Sequence, residues 1–252
     1  MKTKSNIWKL LPVGLLFLFL GCQARAEWFF SVYGGWVNTE PTDMHLQEAG
    51  DDVTFHNVEW ADESFTGSPY GGYRLGYWFD RKPNWGLSVE WIHAKMVADL
   101  AGTVSVTGTR NGPEVLGNTF QNLEFSHGHN IITLNLQHRW FLTEPEEKSF
   151  WSRIEPYAGI GAGVVIPHLE VTTTASKTEE YQMTGPACQG FAGFEVRLFK
   201  YASLYMEGKL SYADISADLG GGGKLHLDPF SEHFVVGLTL HAGRPNRKSR
   251  SK

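Results

Sequence analysis

Beyond residue 26 this 252-residue chain has no apolar run of the ~20 residues that a membrane-crossing helix needs. It has instead a succession of segments, each about 10 to 15 residues long, in which apolar and polar residues alternate. One face of each segment is apolar, while the other carries Arg, Glu, Asn and Gln. That pattern, at that length, fits strands that face lipid on one side and a polar interior on the other. Lipid offers no hydrogen-bond partner, so strands can cross it only as a closed sheet. The fold expected is all-β: an eight-stranded antiparallel transmembrane β-barrel with short periplasmic turns and long extracellular loops.

The first 26 residues read as an export signal. Lys2, Lys4 and Lys9 precede an apolar run from Leu10 to Leu20, and Ala24-Arg25-Ala26 supplies a small-x-small cleavage site. Cleavage after Ala26 leaves Glu27 as the mature start. A competing reading takes Leu20-Gly21-Cys22 as a lipoprotein box with Cys22 acylated. Loss of residues 1–26 removes four of the 22 basic residues, leaving 18 against 27 acidic ones. The mature chain is therefore acidic, which argues against nucleic acid as a partner. Cys188 is its single cysteine, so no intrachain disulfide can form.

Eight strands are expected near 28–38, 67–80, 85–98, 128–142, 153–169, 186–199, 202–216 and 230–242. The connections 81–84, 143–152 and 200–201 are short or modest. Those at 39–66, 99–127, 170–185 and 217–229 are long and rich in Gly, Asp, Glu, Thr and Asn. The two kinds alternate, which puts the turns at the periplasmic end and the loops outside. Eight strands enclose an interior that side chains fill, so a passive pore is not expected. Alternation sends Arg74, Arg139, Arg197 and Lys209 inward, with Glu90, Glu155, Glu195 and Glu207. Buried charges persist only when paired, and a structural ion network plugging the barrel is the expectation. Gly159, Gly161 and Gly163 make room for bulky neighbours inside it. Tyr73, Tyr77, Trp85, Trp91, Trp140 and Tyr157 are expected in aromatic girdles.

Ten histidines are present, and eight lie in or beside the long connections: His45, His56, His93, His127, His129, His168, His226 and His233. Strand ends far apart in sequence meet at a barrel rim. Imidazoles and carboxylates gathered there suit a divalent transition metal, or acid–base chemistry near neutral pH. The connection 39–66 carries eight acidic residues and no Lys or Arg, and is expected to be a solvated loop. Arg244, Arg247, Lys248, Arg250 and Lys252 form a basic tail, expected to be disordered and periplasmic (residues 244–252, after a barrel of 27–243). Cys188 is expected to be a small packing residue.

Several stretches resemble the rhizobial-type lipid A oxidase family of outer-membrane β-barrel proteins. They are Gly72-Tyr73-Arg74-Leu75-Gly76-Tyr77, Trp91-Ile92-His93-Ala94-Lys95 and Ser126-His127-Gly128. Further on come Gly161-Ala162-Gly163 running to Pro167-His168-Leu169-Glu170, and Glu207-Gly208-Lys209-Leu210-Ser211-Tyr212 with the later His233. The resemblance implies oxidation of the proximal glucosamine of lipid A to 2-aminogluconate, with O2 as co-substrate and hydrogen peroxide as co-product. On chemical grounds the expected catalytic or metal-holding residues are His93, His127, His168 and His233, helped by Glu170. Arg74 and Lys95 are expected to hold a phosphate or carboxylate. The partners expected are lipopolysaccharide and the barrel assembly machinery, with the chain acting as a monomer.

Two other classes stay open. One is a non-catalytic barrel of the small surface or adhesion type. The other is a lipid A deacylase, which needs a serine beside a histidine. Ser126-His127 and Ser231-Glu232-His233 have that composition, but adjacent strand residues point to opposite faces and are not expected to act together.

Overall fold

The computed structural model describes residues 27–143 and 149–243; the expected export signal, Cys22 and the basic tail lie outside the described residues. Strands follow in the order β1 (Glu27–Thr39), β2 (Thr42–Glu48), β3 (Asp51–Val58), β4 (Trp60–Ala61), β5 (Gly71–Trp78), β6 (Trp85–Ala94) and β7 (Val97–Ala98). Next come β8 (Thr103–Gly108), β9 (Gly112–Val115), β10 (Phe120–Glu124), β11 (His129–Arg139), β12 (Ile154–Val165) and β13 (His168–Thr173). The last six are β14 (Lys177–Tyr181), β15 (Gly185–Phe199), β16 (Ala202–Ala213), β17 (Ile215–Asp218), β18 (Lys224–Leu227) and β19 (Phe230–Ala242).

Eight of these close into an antiparallel barrel, in the order β1-β19-β16-β15-β12-β11-β6-β5. Its surface is the inverse of a soluble protein's. Phe30, Leu87, Leu134, Met206, Leu238 and Leu240 are exposed on the outer wall, while Ser88, Glu90, Asn135 and Lys209 are buried within. Large exposed apolar area on every strand has one stable environment, the hydrocarbon of a bilayer. Aromatic residues mark both borders of this band. Trp28 meets Tyr77 at 5.0 Å between ring centroids toward the short turns, and Trp36 meets Phe234 at 4.7 Å toward the other end. Tyr157 departs from the expectation: it points inward, buried, and donates to Glu207 at 2.9 Å.

The interior is filled by rings and ions, as a barrel of this strand number requires. Arg74 bridges Glu90 at 3.0 Å and Glu207 at 2.8 Å, and the Lys209 ammonium contacts Glu90 and lies 3.5 Å from Glu207. A second cluster nearer the turns joins Arg139 and Arg197 to Glu27 and Glu155, with His241 between Glu27 and Glu195. Glu27 and His241 were not among the expected partners. The inward glycines do make space: a Cβ on Gly159 would meet the Phe191 ring at 2.4 Å, and one on Gly161 the Asn135 amide oxygen at 1.8 Å.

The long connections are not loops. They fold into a five-stranded sheet, β14-β13-β10-β7-β4, and a six-stranded sheet, β17-β18-β2-β3-β8-β9. The two sheets pack face to face above the barrel, and Phe55 of one meets Phe120 of the other at 5.5 Å. The acidic segment 39–66 becomes β2, β3 and β4, its carboxylates out and Met44, Leu46, Val53 and Phe55 in. Three strands expected to run on through 98, 169 and 216 instead stop at Ala94, Val165 and Ala213, and the chain resumes in these outer sheets. At one break stands Pro167, which has no N–H for a ladder bond. Cys188 is exposed on the outer wall, not packed in the interior.

Candidate functional site

The residue that shapes the site locally is Gly128. Its φ of +128° is open to glycine, and a Cβ there would meet the Asn130 amide at 2.3 Å. This turn joins β10 of the five-stranded sheet to β11 of the barrel and carries Ser126 and His127. Across from it, β13 alternates buried Leu169 and Val171 with His168 and Glu170, which therefore lie on the sheet's outer face. The His127, His168 and Glu170 ligand atoms all fall within 4.8 Å of one another. Glu170 Oε1 is the hub: His127 Nδ1 contacts it, His168 Nδ1 lies 3.2 Å away, and the Ser126 hydroxyl donates to it at 2.9 Å.

The electrostatics of the hub are those of an ion pair open to water. The hydrogen bond that His127 donates to Glu170, and the charge of that carboxylate, raise the His127 pKa above the ordinary 6.5, with Glu124 adding to the rise and Lys95 opposing it. Burial pushes Glu170 upward, but hydrogen bonds from His127, Ser126 and His168 outweigh it and hold the carboxyl below its usual range. A metal held here would need the neutral imidazole, so its affinity would fall as pH drops through the raised His127 pKa. Histidine Cε1–H NMR of the folded barrel should place the His127 midpoint above 6.5, and in Glu170→Gln it should fall back toward 6.5. A midpoint unmoved by Glu170→Gln would contradict the pairing.

His93 and Lys95 flank this group. His93 Nδ1 donates to the Asn130 side-chain oxygen at 3.1 Å, and its Nε2 bonds the Ser68 hydroxyl at 2.9 Å. Asn130 in turn donates to the Gly128 carbonyl, which ties His93 to the turn bearing His127. Lys95 is buried beneath the segment after β4: its ammonium donates to the Thr66 carbonyl at 2.5 Å and lies 3.8 Å from Glu63.

Two expected residues are elsewhere. His233 points into the barrel, where its ring bonds Ser211 at 2.7 Å and Tyr70 at 3.0 Å. Arg74 is sealed inside between two carboxylates and does not reach the rim. Ser126 and His127 also depart from the expectation. They sit on a turn, not on a continuous strand, and the hydroxyl is 3.4 Å from His127 Nδ1. Glu124, which lies opposite Glu170 in register, and Ser68 were not foreseen; their signal was strand parity and loop closure.

No protein-family model matches the sequence, and no curated protein matches it. Among solved structures, the outer membrane protein OprG from Pseudomonas aeruginosa aligns with a TM-score of 0.46 and 16% identity, over 85% of this chain and 96% of that one. The outer membrane protease OmpT from Escherichia coli aligns at 0.39 and 10%, over 86% and 96%. Ail, the attachment invasion locus protein of Yersinia pestis, aligns at 0.33 and 10%, over 83% and 98%. No activity passes from them to this chain.

Proposed function

We propose that this chain is an integral outer-membrane enzyme that oxidises the proximal glucosamine of lipid A to 2-aminogluconate, using O2. The observation that carries the reading is the His127–His168–Glu170 group, set on the outer face of a sheet just above the lipid-facing wall. A lipid headgroup in the outer leaflet meets that face from the side, without entering the barrel. The sequence resemblance to the lipid A oxidase family supports the same reading. The two upper sheets outside and the termini in the periplasm complete it.

The reaction balances simply. The anomeric carbon of a free hemiacetal gives up two electrons and two protons and becomes a lactone; O2 takes them up as hydrogen peroxide; water opens the lactone to the acid. Two imidazoles and one carboxylate with further positions open are a donor set that fits a divalent transition metal. Such a metal would supply Lewis acidity and a redox partner for O2. From this chain, Glu170 sets the orientation of both imidazoles, and an imidazole not held by a metal can take the hydroxyl proton. Lys95, expected to hold a phosphate or carboxylate, is instead buried against Thr66 and Glu63, and its charge acts on the site by opposing protonation of His127.

A second reading rests on Ser126, whose hydroxyl lies within reach of both His127 and Glu170. In a hydrolytic triad the base faces serine with one nitrogen and carboxylate with the other. Here His127 Nδ1 meets both, and the serine donates to the carboxylate instead of to the imidazole. That geometry favours the oxidase. The deciding measurement is the mass of lipid A from a host with and without this chain. A gain of one oxygen mass is expected; loss of an acyl chain would establish the deacylase, and an unchanged mass a passive barrel.

A further inference from the structure

We propose that His45 and His226 form a second transition-metal site, on the solvent face of the six-stranded sheet. The two residues are direct partners in the antiparallel register of β2 and β18. Directly opposed residues place their Cβ atoms about 4.5–5.5 Å apart on one face, so two imidazoles there can close on one ion with bonds of ~2.0 Å. They flank a cleft of about 220 Å³, which Gln47, Ser216, Asp218 and Lys224 also line.

One nitrogen of each ring is held by the strand on its far side, β3 for His45 and β17 for His226. His45 Nε2 is 2.8 Å from Asp52, and His226 Nδ1 is 3.1 Å from the Ser216 hydroxyl and 3.6 Å from Asp214. A carboxylate only accepts, so Asp52 beside His45 and Asp214 beside His226 favour the N–H on the near nitrogen and leave the lone pair on the other. That leaves Nδ1 of His45 and Nε2 of His226 to bind. The third histidine of this face shows the contrast. His56 spends both nitrogens at 2.9 Å, one on Asp43 and one on Thr107, and has no lone pair to give. Asp52, Asp214 and Asp218 bias the face toward cations, with Lys224 opposing them. Imidazole pairs with water in the remaining positions suit Cu(II), Ni(II) or Zn(II), and Cu(II) binds most strongly of these.

The test is Cu(II) titration of the untagged, full mature chain folded in detergent, read by electron paramagnetic resonance and by competition with a chelator. His226→Ala should bind one equivalent fewer than the parent, and that equivalent in the parent should show nitrogen couplings. His45→Ala should remove the same equivalent, whereas His56→Ala should leave it. Comparing stoichiometries keeps the result independent of whatever the rim group binds. Equal stoichiometry in the parent and His226→Ala, or loss of the equivalent in His56→Ala, would overturn the assignment. All three side chains are partly exposed, so the variants keep the packed face between the sheets intact.

Discussion

In Glu170→Gln, the proposed lipid A oxidation is expected to fall by about 10²- to 10⁴-fold while the protein still folds and inserts. His168→Ala should fall as far. The physical reason is that one carboxylate oxygen organises the site: both imidazoles and the Ser126 hydroxyl turn on Glu170 Oε1. An amide in its place keeps the shape, but it removes the anion that holds His127 and the charge a cation would meet. Ser126→Ala separates the chemistries. It deletes one hydrogen bond to Glu170 and should leave most oxidation intact, but it would abolish an esterase outright. The assay is lipid A mass spectrometry after expression of each variant, normalised to barrel in the membrane. Full activity in both Glu170→Gln and His168→Ala would exclude this site as the catalytic one.

The barrel was legible because its physics is periodic. Ile132, Leu134 and Leu136 alternate with Thr133, Asn135 and Gln137, and the structure puts the first set outside and the second inside. That same parity already assigned His233. It lies next to Phe234, which faces lipid, so it had to face inward, away from His127. The outer sheets were hidden by composition. Segments 39–66 and 99–127 look like loops from their Gly, Asp and Thr content. Yet Met44 and Leu46, Val53 and Phe55, Val104 and Val106 recur at every second position, and all are buried between the sheets. Their alternation is short, and nothing local says which strands will pair. The site itself needed the turn at Gly128, since only that reversal brings Ser126 and His127 onto a carboxylate 43 to 44 residues away.

The largest loss of stability should come from Lys209→Met. Glu90 and Glu207 are balanced by Arg74 and Lys209, and all four are buried in the barrel interior. Methionine fills much of the same volume, so little packing is lost, but it leaves two carboxylates with one guanidinium. An uncompensated buried charge of this kind costs about 3–5 kcal/mol. Gln189 also donates to Glu90, at 2.8 Å, and Tyr33 does so at 2.7 Å. These neutral donors can soften the charge but cannot cancel it. Adding Glu207→Gln to Lys209→Met restores neutrality and should recover a large part of the loss, a coupling that a double-mutant cycle isolates. Reversible urea unfolding of the barrel in detergent micelles reads each term. If Lys209→Met cost under about 1 kcal/mol, or the second change deepened the loss, the interior would owe its stability to the rings of Tyr33, Tyr157, Phe191 and Tyr205 and not to its ions.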